Sequence, residues 1–137
     1  MNHLKSLKRG EIWLVDLGHT RGAEIEKTRP AVIMTDDDIG VLPLRVVVPL
    51  THWQDNFTEG EWLIKISSTP EDGLDQTSAA DTFQVRSVSE ERTHRRIGTL
   101  SEHQVTKITE GLIRVLGLRS NLSTCSNETK RKEINND

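Results

Sequence analysis

Arg29 is the first residue of this chain whose type and position suggest chemistry, because it directly precedes Pro30. A proline has a fixed φ and biases the residue before it towards an extended conformation, so Arg29 should have a defined direction at the entrance to a strand. A guanidinium held in this way can bind a phosphate through two N–H donors. The alternative is an ordinary surface arginine paired with Glu24 or Glu26.

A threonine and a histidine follow the apolar segment at residues 44–50. The Thr51 hydroxyl could contact a phosphate oxygen where the chain leaves a strand, and His52 could act as a base. The alternative is that Thr51 bonds to local backbone and that His52 is a solvent-facing loop side chain.

Asp81 lies inside residues 78–88, which we interpret as one strand. Aspartate is depleted in strands, so this carboxylate is either an outward-facing surface group or is placed for chemistry. Along one strand Asp81 and Phe83 would share a face, and Arg86 would lie on the other face.

The composition restricts the class of protein. The chain has 137 residues, of which 34% are hydrophobic and 28% charged, as in one soluble globular domain. No segment approaches the roughly 18 apolar residues of a membrane helix, and the first ten residues lack an apolar signal region, so we expect a cytoplasmic protein. The single cysteine, Cys125, excludes an intrachain disulfide and a multi-cysteine metal site.

The charge argues against a protein that coats nucleic acid without specificity. The formal net charge is −3 and aromatic residues make up 4% of the chain. Such coating needs many Lys and Arg contacts to phosphates, and an extended stacking platform needs many aromatic rings. A small basic site for one or two phosphates remains compatible with these numbers.

Short β-prone segments separated by polar loops predict six strands. Their expected ranges are 11–17, 30–35, 44–50, 61–67, 78–88 and 96–100, with polar loops at 18–28 and 51–60. The continuous apolar run at 44–50 indicates burial on both faces, and we expect Pro49 to end its ladder.

One amphipathic helix should follow the strands, because apolar residues recur at helical spacing at Val105, Ile108, Leu112 and Val115. Ser101 and Gln104 have the spacing of a capping box, and Gly117 is expected to end the helix. The pattern predicts a mainly β fold, a small antiparallel barrel with one C-terminal helix. We expect a single domain over residues 1–117 and a polar, disordered tail at 118–137.

Several segments, taken in order, resemble the successive motifs of the MazF/PemK family of toxins. They are residues 11–17, Gly22 and residues 27–33, 46–51, 73–75 and 83–88. The resemblance runs from Lys8 to Gly117, and its most specific parts are Arg9-Gly10-Glu11-Ile12-Trp13 and Thr28-Arg29-Pro30.

This resemblance implies an SH3-like barrel with a C-terminal helix that works as a homodimer. It implies an endoribonuclease that needs neither metal nor cofactor and cuts single-stranded RNA at short sequences. The ribose 2′-hydroxyl would attack the neighbouring phosphate and leave 2′,3′-cyclic phosphate and 5′-hydroxyl ends. A cognate antitoxin protein would cover the active groove.

The resemblance also assigns residues by position. Arg29 matches the family's catalytic arginine, which would stabilise the extra charge on the pentacoordinate phosphate, and Thr51 matches its active-site threonine. We predict Asp81 as a third catalytic residue. The predicted RNA-contacting residues are His19, Arg21, Lys27, Thr28, His52 and Phe83.

The chain departs from one branch of the family, in which an arginine and an aspartate lie two residues apart in the late strand. Asp81 and Phe83 align with these two positions, so a carboxylate stands where the arginine is expected. Arg86 should not replace that arginine, because strand alternation places it on the other face. The branch's loop histidine aligns with Ala23, and His19 lies nearby.

Three other functions remain open. CcdB-type toxins have a similar architecture but poison DNA gyrase through a tryptophan near the end of a C-terminal helix, whereas this chain has no tryptophan after Trp62. A non-catalytic barrel that binds RNA or a peptide is compatible with the departures just described. A metal-dependent nuclease could use the three aspartates at 36–38, although adjacent carboxylates are more typical of a solvated turn.

Overall fold

Antiparallel strands followed by a single helix make up the computed structural model, which describes residues 6–19, 21–25, 27–39 and 42–118. In these ranges the elements are β1 (Glu11–Asp16), β2 (Thr28–Ile33), β3 (Leu44–His52), β4 (Leu63–Ile66), β5 (Ser78–Asp81), a 3₁₀ turn (Thr82–Gln84), β6 (Arg86–Ser89), a second 3₁₀ turn (Glu90–Arg92), β7 (Thr93–Thr99) and α1 (Glu102–Leu116). The mainly β fold with one C-terminal helix is confirmed. The disorder predicted for 118–137 concerns residues outside the described ranges, apart from Leu118.

The central strand of the sheet is β3. Neighbouring strands follow the order β4-β5-β3-β2-β1-β7, and β6 also pairs with β3. The first part of β3 pairs with β2 and β6, and its last residues pair with β5. No pairing joins β4 to β7 within the described residues, so the predicted barrel is an open, barrel-like sheet.

The two faces of this sheet bury separate apolar clusters. The helix face carries Ile12, Val32, Val48, Leu50 and Ile64, which pack with Ile108 of α1. The cleft face, as we name the opposite side, carries Val15, Ala31, Ile33 and Val47, which pack with Leu7 and Leu17. Burial of β3 on both faces, predicted from its apolar run, is confirmed at Val47 and Val48.

The helix has the predicted ends. The Ser101 hydroxyl accepts a hydrogen bond from the Gln104 N–H, and the Gln104 side chain accepts one from the Ser101 N–H. Gly117 ends the helix in the left-handed conformation with φ 70°. Within the described residues, no helix is both long and apolar enough to span a bilayer.

The predicted strand at 78–88 is wrong in its middle. The chain leaves the strand at Asp81 and forms the Thr82–Gln84 turn before β6 begins. The Asp81 carboxylate accepts a hydrogen bond from the Phe83 N–H at 3.1 Å, so it caps the turn in place of continuing the ladder. The preference of aspartate for capping over strand pairing is the physical reason for the break.

Pro49 does not end its ladder, contrary to the expectation. It pairs with Ala31 of β2, and β3 continues to His52 by pairing with β5 from Leu50 onwards. The residue without an N–H therefore lies where the strand changes partner, which is a position that tolerates the lost donor. The other bounds differ less, except that the last strand is longer than predicted and begins at Thr93.

The Thr82–Gln84 turn is fixed against α1 through Gly111. A Cβ on Gly111 would lie 2.9 Å from Thr82 Cγ2 and 3.1 Å from its Oγ1. The Thr82 N–H and hydroxyl both donate to the Trp62 carbonyl, at 3.0 and 2.7 Å. The glycine thus permits the helix to approach the turn that shapes the cleft face.

Replacing Gly111 by Ala should destabilise the fold by about 1–3 kcal/mol, because the added methyl overpacks against Thr82. In an unhindered helix the same change would stabilise by about 1 kcal/mol. The measurement is urea unfolding of G111A, T82S and the double variant. Because T82S removes Cγ2 and keeps the hydroxyl, the double variant should lose less than the sum of the two single losses. Additive losses would show that the methyl group is not the point of contact.

Candidate functional site

The cleft face brings together the three predicted catalytic residues, which come from β2, β3 and β5. Paired residues project from the same side of a sheet, and alternate residues of one strand do so as well. Ala31 pairs with Pro49, so Arg29 and Thr51, each two positions further towards the same end, lie on this face. Leu63 pairs with Asp81, and Asp81 lies two residues after Ala79, the partner of Thr51. The three predicted catalytic residues therefore share one face of the sheet, and each is half-buried.

A cleft of about 720 Å³ opens on this face. Pro49 forms part of its floor, and its walls are the loop between β1 and β2 and the Thr82–Gln84 turn. Its lining residues are His19, Ala23, Glu24, Ile25, Pro49, Trp62, Asp81, Phe83, Gln84, Val85 and Arg86. Arg29 and Thr51 lie beside the cleft on neighbouring strand positions and are not part of this lining.

Asp81 has a structural task in addition to its place in the cleft. One carboxylate oxygen accepts the Phe83 N–H, and the other accepts a hydrogen bond from Gln84 Nε2 at 3.0 Å. The carboxylate therefore caps the turn and orients the Gln84 amide. The arrangement leaves it half-buried at the edge of the cleft.

Gln84 fastens the β1–β2 loop to the cleft. Its Oε1 accepts a hydrogen bond from the Ile25 N–H at 2.5 Å, and its Nε2 donates to the Ala23 carbonyl at 3.3 Å. These side-chain hydrogen bonds join a loop and a turn that are about 60 residues apart in sequence. One side chain thus sets the position of one cleft wall.

Two residues with left-handed backbone conformation lie at the base of the same loop. Gly18 and Lys27 have φ values of 70° and 69°, and Lys27 alone among the described non-glycine residues has a positive φ. The Lys27 N–H donates to the Gly18 carbonyl at 3.0 Å, and the Leu17 N–H donates to the Lys27 carbonyl at 2.9 Å. The exposed Lys27 therefore has a fixed backbone direction one residue before β2.

Arg86 lies in the cleft, which corrects the expectation that it falls on the face away from Asp81. It pairs with Val47 of the cleft face and lines the cleft together with Asp81. The 3₁₀ turn between Asp81 and β6 resets the alternation, so a count along one continuous strand gave the wrong side. The Arg86 Nη1 donates to the Leu17 carbonyl at 3.2 Å, which ties the guanidinium to the end of β1.

Of the other predicted RNA-contacting residues, His19 and Phe83 line the cleft. Arg21 lies in the loop, where its N–H donates to Glu24 Oε1 at 2.6 Å. Thr28 begins β2 opposite Asp16, and His52 ends β3 opposite Ser78. By alternation His52 projects from the side opposite to Thr51, so the structure does not bring these two residues together.

Sequence reasoning missed Trp62, Glu24, Gln84 and Arg86, all of which line the cleft. The segment Phe83-Gln84-Val85-Arg86 was part of the resemblance, and that motif was the available signal for two of them. Their roles depend on the turn that the strand interpretation did not include.

The three aspartates at 36–38 form an exposed turn, as predicted. Asp36 accepts the Asp38 N–H at 2.9 Å, and Asp37 accepts the Arg9 N–H at 2.8 Å. Across the described ranges, no group of three or more His, Cys, Asp or Glu side chains is arranged to hold a metal ion.

Comparison with known proteins adds independent information. Residues 8–116 match the family model described as PemK-like, MazF-like toxin of type II toxin-antitoxin system. Endoribonuclease MazF9 of Mycobacterium tuberculosis is 33% identical over 112 residues, which cover 77% of this chain and 92% of the relative.

Solved structures share the fold. The crystal structure of MazF (Form-I) from Deinococcus radiodurans superposes with a TM-score of 0.66 at 15% identity, covering 85% of this chain and 99% of that one. An endoribonuclease in complex with its cognate antitoxin, from a mycobacterial species, gives a TM-score of 0.62 at 20% identity, covering 81% and 95%. At these identities the likeness concerns the fold.

Replacing Gln84 by Ala should release the β1–β2 loop. The Ile25 N–H loses its acceptor, and with a net hydrogen-bond contribution of about 1 kcal/mol its exchange with solvent should become about five-fold faster. Hydrogen-exchange NMR of the Ile25 amide measures this. Q76A, at an exposed glutamine far from the loop in sequence, is the control and should leave the Ile25 rate unchanged. An unchanged rate in Q84A would mean that other contacts hold the loop.

Proposed function

Because this chain belongs to the PemK-like, MazF-like family of type II toxin–antitoxin toxins, we propose that it is an endoribonuclease toxin that cuts single-stranded RNA. The observation that carries the proposal is the placement of Arg29, Thr51 and Asp81 on one sheet face, beside a cleft that also contains Arg86. The naming of MazF9 as an endoribonuclease supports it.

The proposed reaction is attack of a ribose 2′-hydroxyl on the adjacent phosphate. A bond forms between the 2′-oxygen and phosphorus, and the bond from phosphorus to the 5′-oxygen breaks, leaving a 2′,3′-cyclic phosphate and a 5′-hydroxyl. The proton of the 2′-hydroxyl passes to a base, and the departing 5′-oxygen takes a proton from an acid. No water enters this step.

Arg29 is proposed to stabilise the pentacoordinate phosphate. The extra negative charge develops on the phosphate oxygens in the transition state, where a guanidinium with two parallel N–H donors is most effective. Its direction is set by Pro30 and by the pairing of Arg29 with Val15. Thr51, on the adjacent strand, would donate its hydroxyl to a phosphate oxygen.

Asp81 is proposed as the base. It is the predicted catalytic carboxylate, it lines the cleft, and its two oxygens are held by Phe83 and Gln84. Fixed geometry of this kind suits proton transfer. Arg86 would add a second positive charge on the same face, so that two arginines stabilise the phosphate without a metal ion. We accordingly propose a metal-independent reaction.

The remaining RNA contacts are proposed from the positions of the predicted residues. His19 and Phe83 would contact nucleotides inside the cleft. Arg21, Lys27 and Thr28, in the β1–β2 loop or at the start of β2, would contact the RNA backbone outside the cleft. No such contact is proposed for His52, which projects from the other face of the sheet. A site of this size engages few phosphates, which agrees with a chain whose formal net charge is −3.

The partners are proposed from the family. A cognate antitoxin would neutralise the enzyme by covering the cleft, as suggested by the mycobacterial endoribonuclease that was solved with its antitoxin. The resemblance further supports a cytoplasmic homodimer that acts on messenger RNA.

Replacing Arg29 by Ala should reduce cleavage by about 100- to 1,000-fold, the usual effect of removing one transition-state donor. The assay is cleavage of a long single-stranded RNA in EDTA, with analysis of the fragment ends. R95A, which removes an exposed arginine of β7, is the control and should cleave normally. R29K should be intermediate, since lysine keeps the charge and loses the two-pronged donor.

The role of Arg29, the metal independence and the nuclease activity would each be contradicted by a different result. Full cleavage by R29A would remove Arg29 from the mechanism, and loss of wild-type cleavage in EDTA would contradict metal independence. No cleavage by folded, antitoxin-free wild-type protein, together with inhibition of gyrase in a DNA relaxation assay, would favour a CcdB-type function.

Replacing Asp81 by Asn separates the base from the cap. Asparagine can still accept the Phe83 N–H through its one oxygen, but its NH2 group cannot accept from Gln84 Nε2, so the free energy of unfolding should fall by about 1 kcal/mol. It cannot accept the proton of the 2′-hydroxyl, so cleavage should fall by about 100-fold or more. Unfolding in urea and single-turnover cleavage measure the two effects. Normal cleavage by D81N would leave Asp81 with the capping role alone.

A further inference from the structure

We propose that Trp62 and Phe83 form an aromatic clamp that holds one unpaired base of the RNA at the mouth of the cleft. The inference rests on the proposed function and adds to it a recognition residue, Trp62, that sequence reasoning did not identify. The clamp would decide which part of an RNA can enter the site, because a base must be unpaired before its faces are available for stacking.

The Trp62 and Phe83 side chains are both exposed in the same cleft. Both residues line the cleft, and their exposed fractions are 41% for Trp62 and 66% for Phe83. The chain has only three Trp, two Phe and no Tyr. Two of these few aromatic residues therefore present apolar surface to solvent in the same cleft as Arg86, which is the combination that single-stranded nucleic acid sites use.

The two rings form an edge-to-face pair to which a base can be added. The centroids are 6.0 Å apart and the ring planes make an angle of 72°. A flat base that stacks on one ring consequently meets the other ring with its edge, an arrangement that aromatic systems favour. Neither residue is buried, so both present surface to solvent for this contact.

The clamp is rigid at its base. The Trp62 carbonyl accepts hydrogen bonds from the Thr82 N–H and hydroxyl, so the residue before Phe83 ties the two rings together. Thr82 is fully buried against Gly111 of α1, and the Arg114 guanidinium of the same helix donates to the Gly60 carbonyl. A backbone held in this way reduces the conformational freedom that the pair loses when a base binds.

The polar groups next to the rings leave stacking as the main source of recognition. The Asp81 carboxylate and the Gln84 amide bond to each other, to the turn and to the β1–β2 loop. The clamp should accordingly accept any unpaired base with modest preference, while the sequence requirement comes from other nucleotides.

The test measures binding separately from cleavage. Oligoribonucleotides of mixed sequence with 2′-O-methyl groups cannot undergo 2′-hydroxyl attack, so fluorescence anisotropy gives their Kd for the wild type and for W62L and F83L. Each variant should bind about ten-fold or more weakly. The matched controls are W53L and F57L, which alter the other edge-to-face pair of the protein, 5.4 Å apart and outside the cleft, and these should bind as the wild type does.

Combining the Trp62 substitution with removal of single bases from the oligonucleotide shows which base the pair binds. One abasic nucleotide is moved along the oligonucleotide, and one position should weaken wild-type binding about as much as W62L does. At that position the abasic oligonucleotide should bind W62L no more weakly than the intact one, because the ring and the base act together. W62F, which keeps a ring, should restore most of the affinity, and a fully double-stranded oligonucleotide should bind weakly to all variants.

The outcomes separate the clamp from the proposed function. Weaker binding by W62L and F83L in a protein that cuts no RNA would support the clamp and contradict the endoribonuclease. Normal binding by both variants of an active enzyme would overturn the clamp. Absence of oligonucleotide binding by the wild type, or equal losses in W53L and F57L, would overturn it as well.

Discussion

The hydrogen bonds that end β5 determine how the candidate site is built. Asp81 accepts the Phe83 N–H and so converts a potential long strand into a short one followed by a 3₁₀ turn. The turn places Phe83 at the cleft mouth, directs Gln84 to the β1–β2 loop and returns Arg86 to the same face of the sheet as Asp81. Without it, strand alternation would separate the carboxylate from the arginine.

The helix serves the site from the opposite side of the sheet. Its buried Ile108 completes the larger apolar cluster, and Gly111 lets the helix approach the turn closely. Because protein interiors are packed as densely as organic crystals, this contact restricts the movement of the turn. The helix is therefore both a part of the core and a support for the cleft wall.

The acidic composition of the chain is compatible with the anionic substrate proposed for it. The proposed reaction concerns one phosphate, so it requires only a few local cations although the formal net charge is −3. Arg29 and Arg86 come from distant parts of the chain, on β2 and β6, and lie on the same face of the sheet because β3 pairs with both strands. Specific contacts at such a site contribute more than a general positive surface would.

The sequence alone determined the elements whose causes are local. Helical spacing, the Ser101 and Gln104 cap and the left-handed Gly117 defined α1, and the order of apolar segments defined the mainly β class. The Arg29-Pro30 step and the family motifs indicated the face of the sheet that carries the candidate site. Tertiary structure alone decided how that face is built, through the partner change of β3 at Pro49 and the capped turn. The hydrogen bonds from Gln84 to the β1–β2 loop and the Trp62–Phe83 pair join residues far apart in sequence. They depend on register and close packing, which no local pattern specifies.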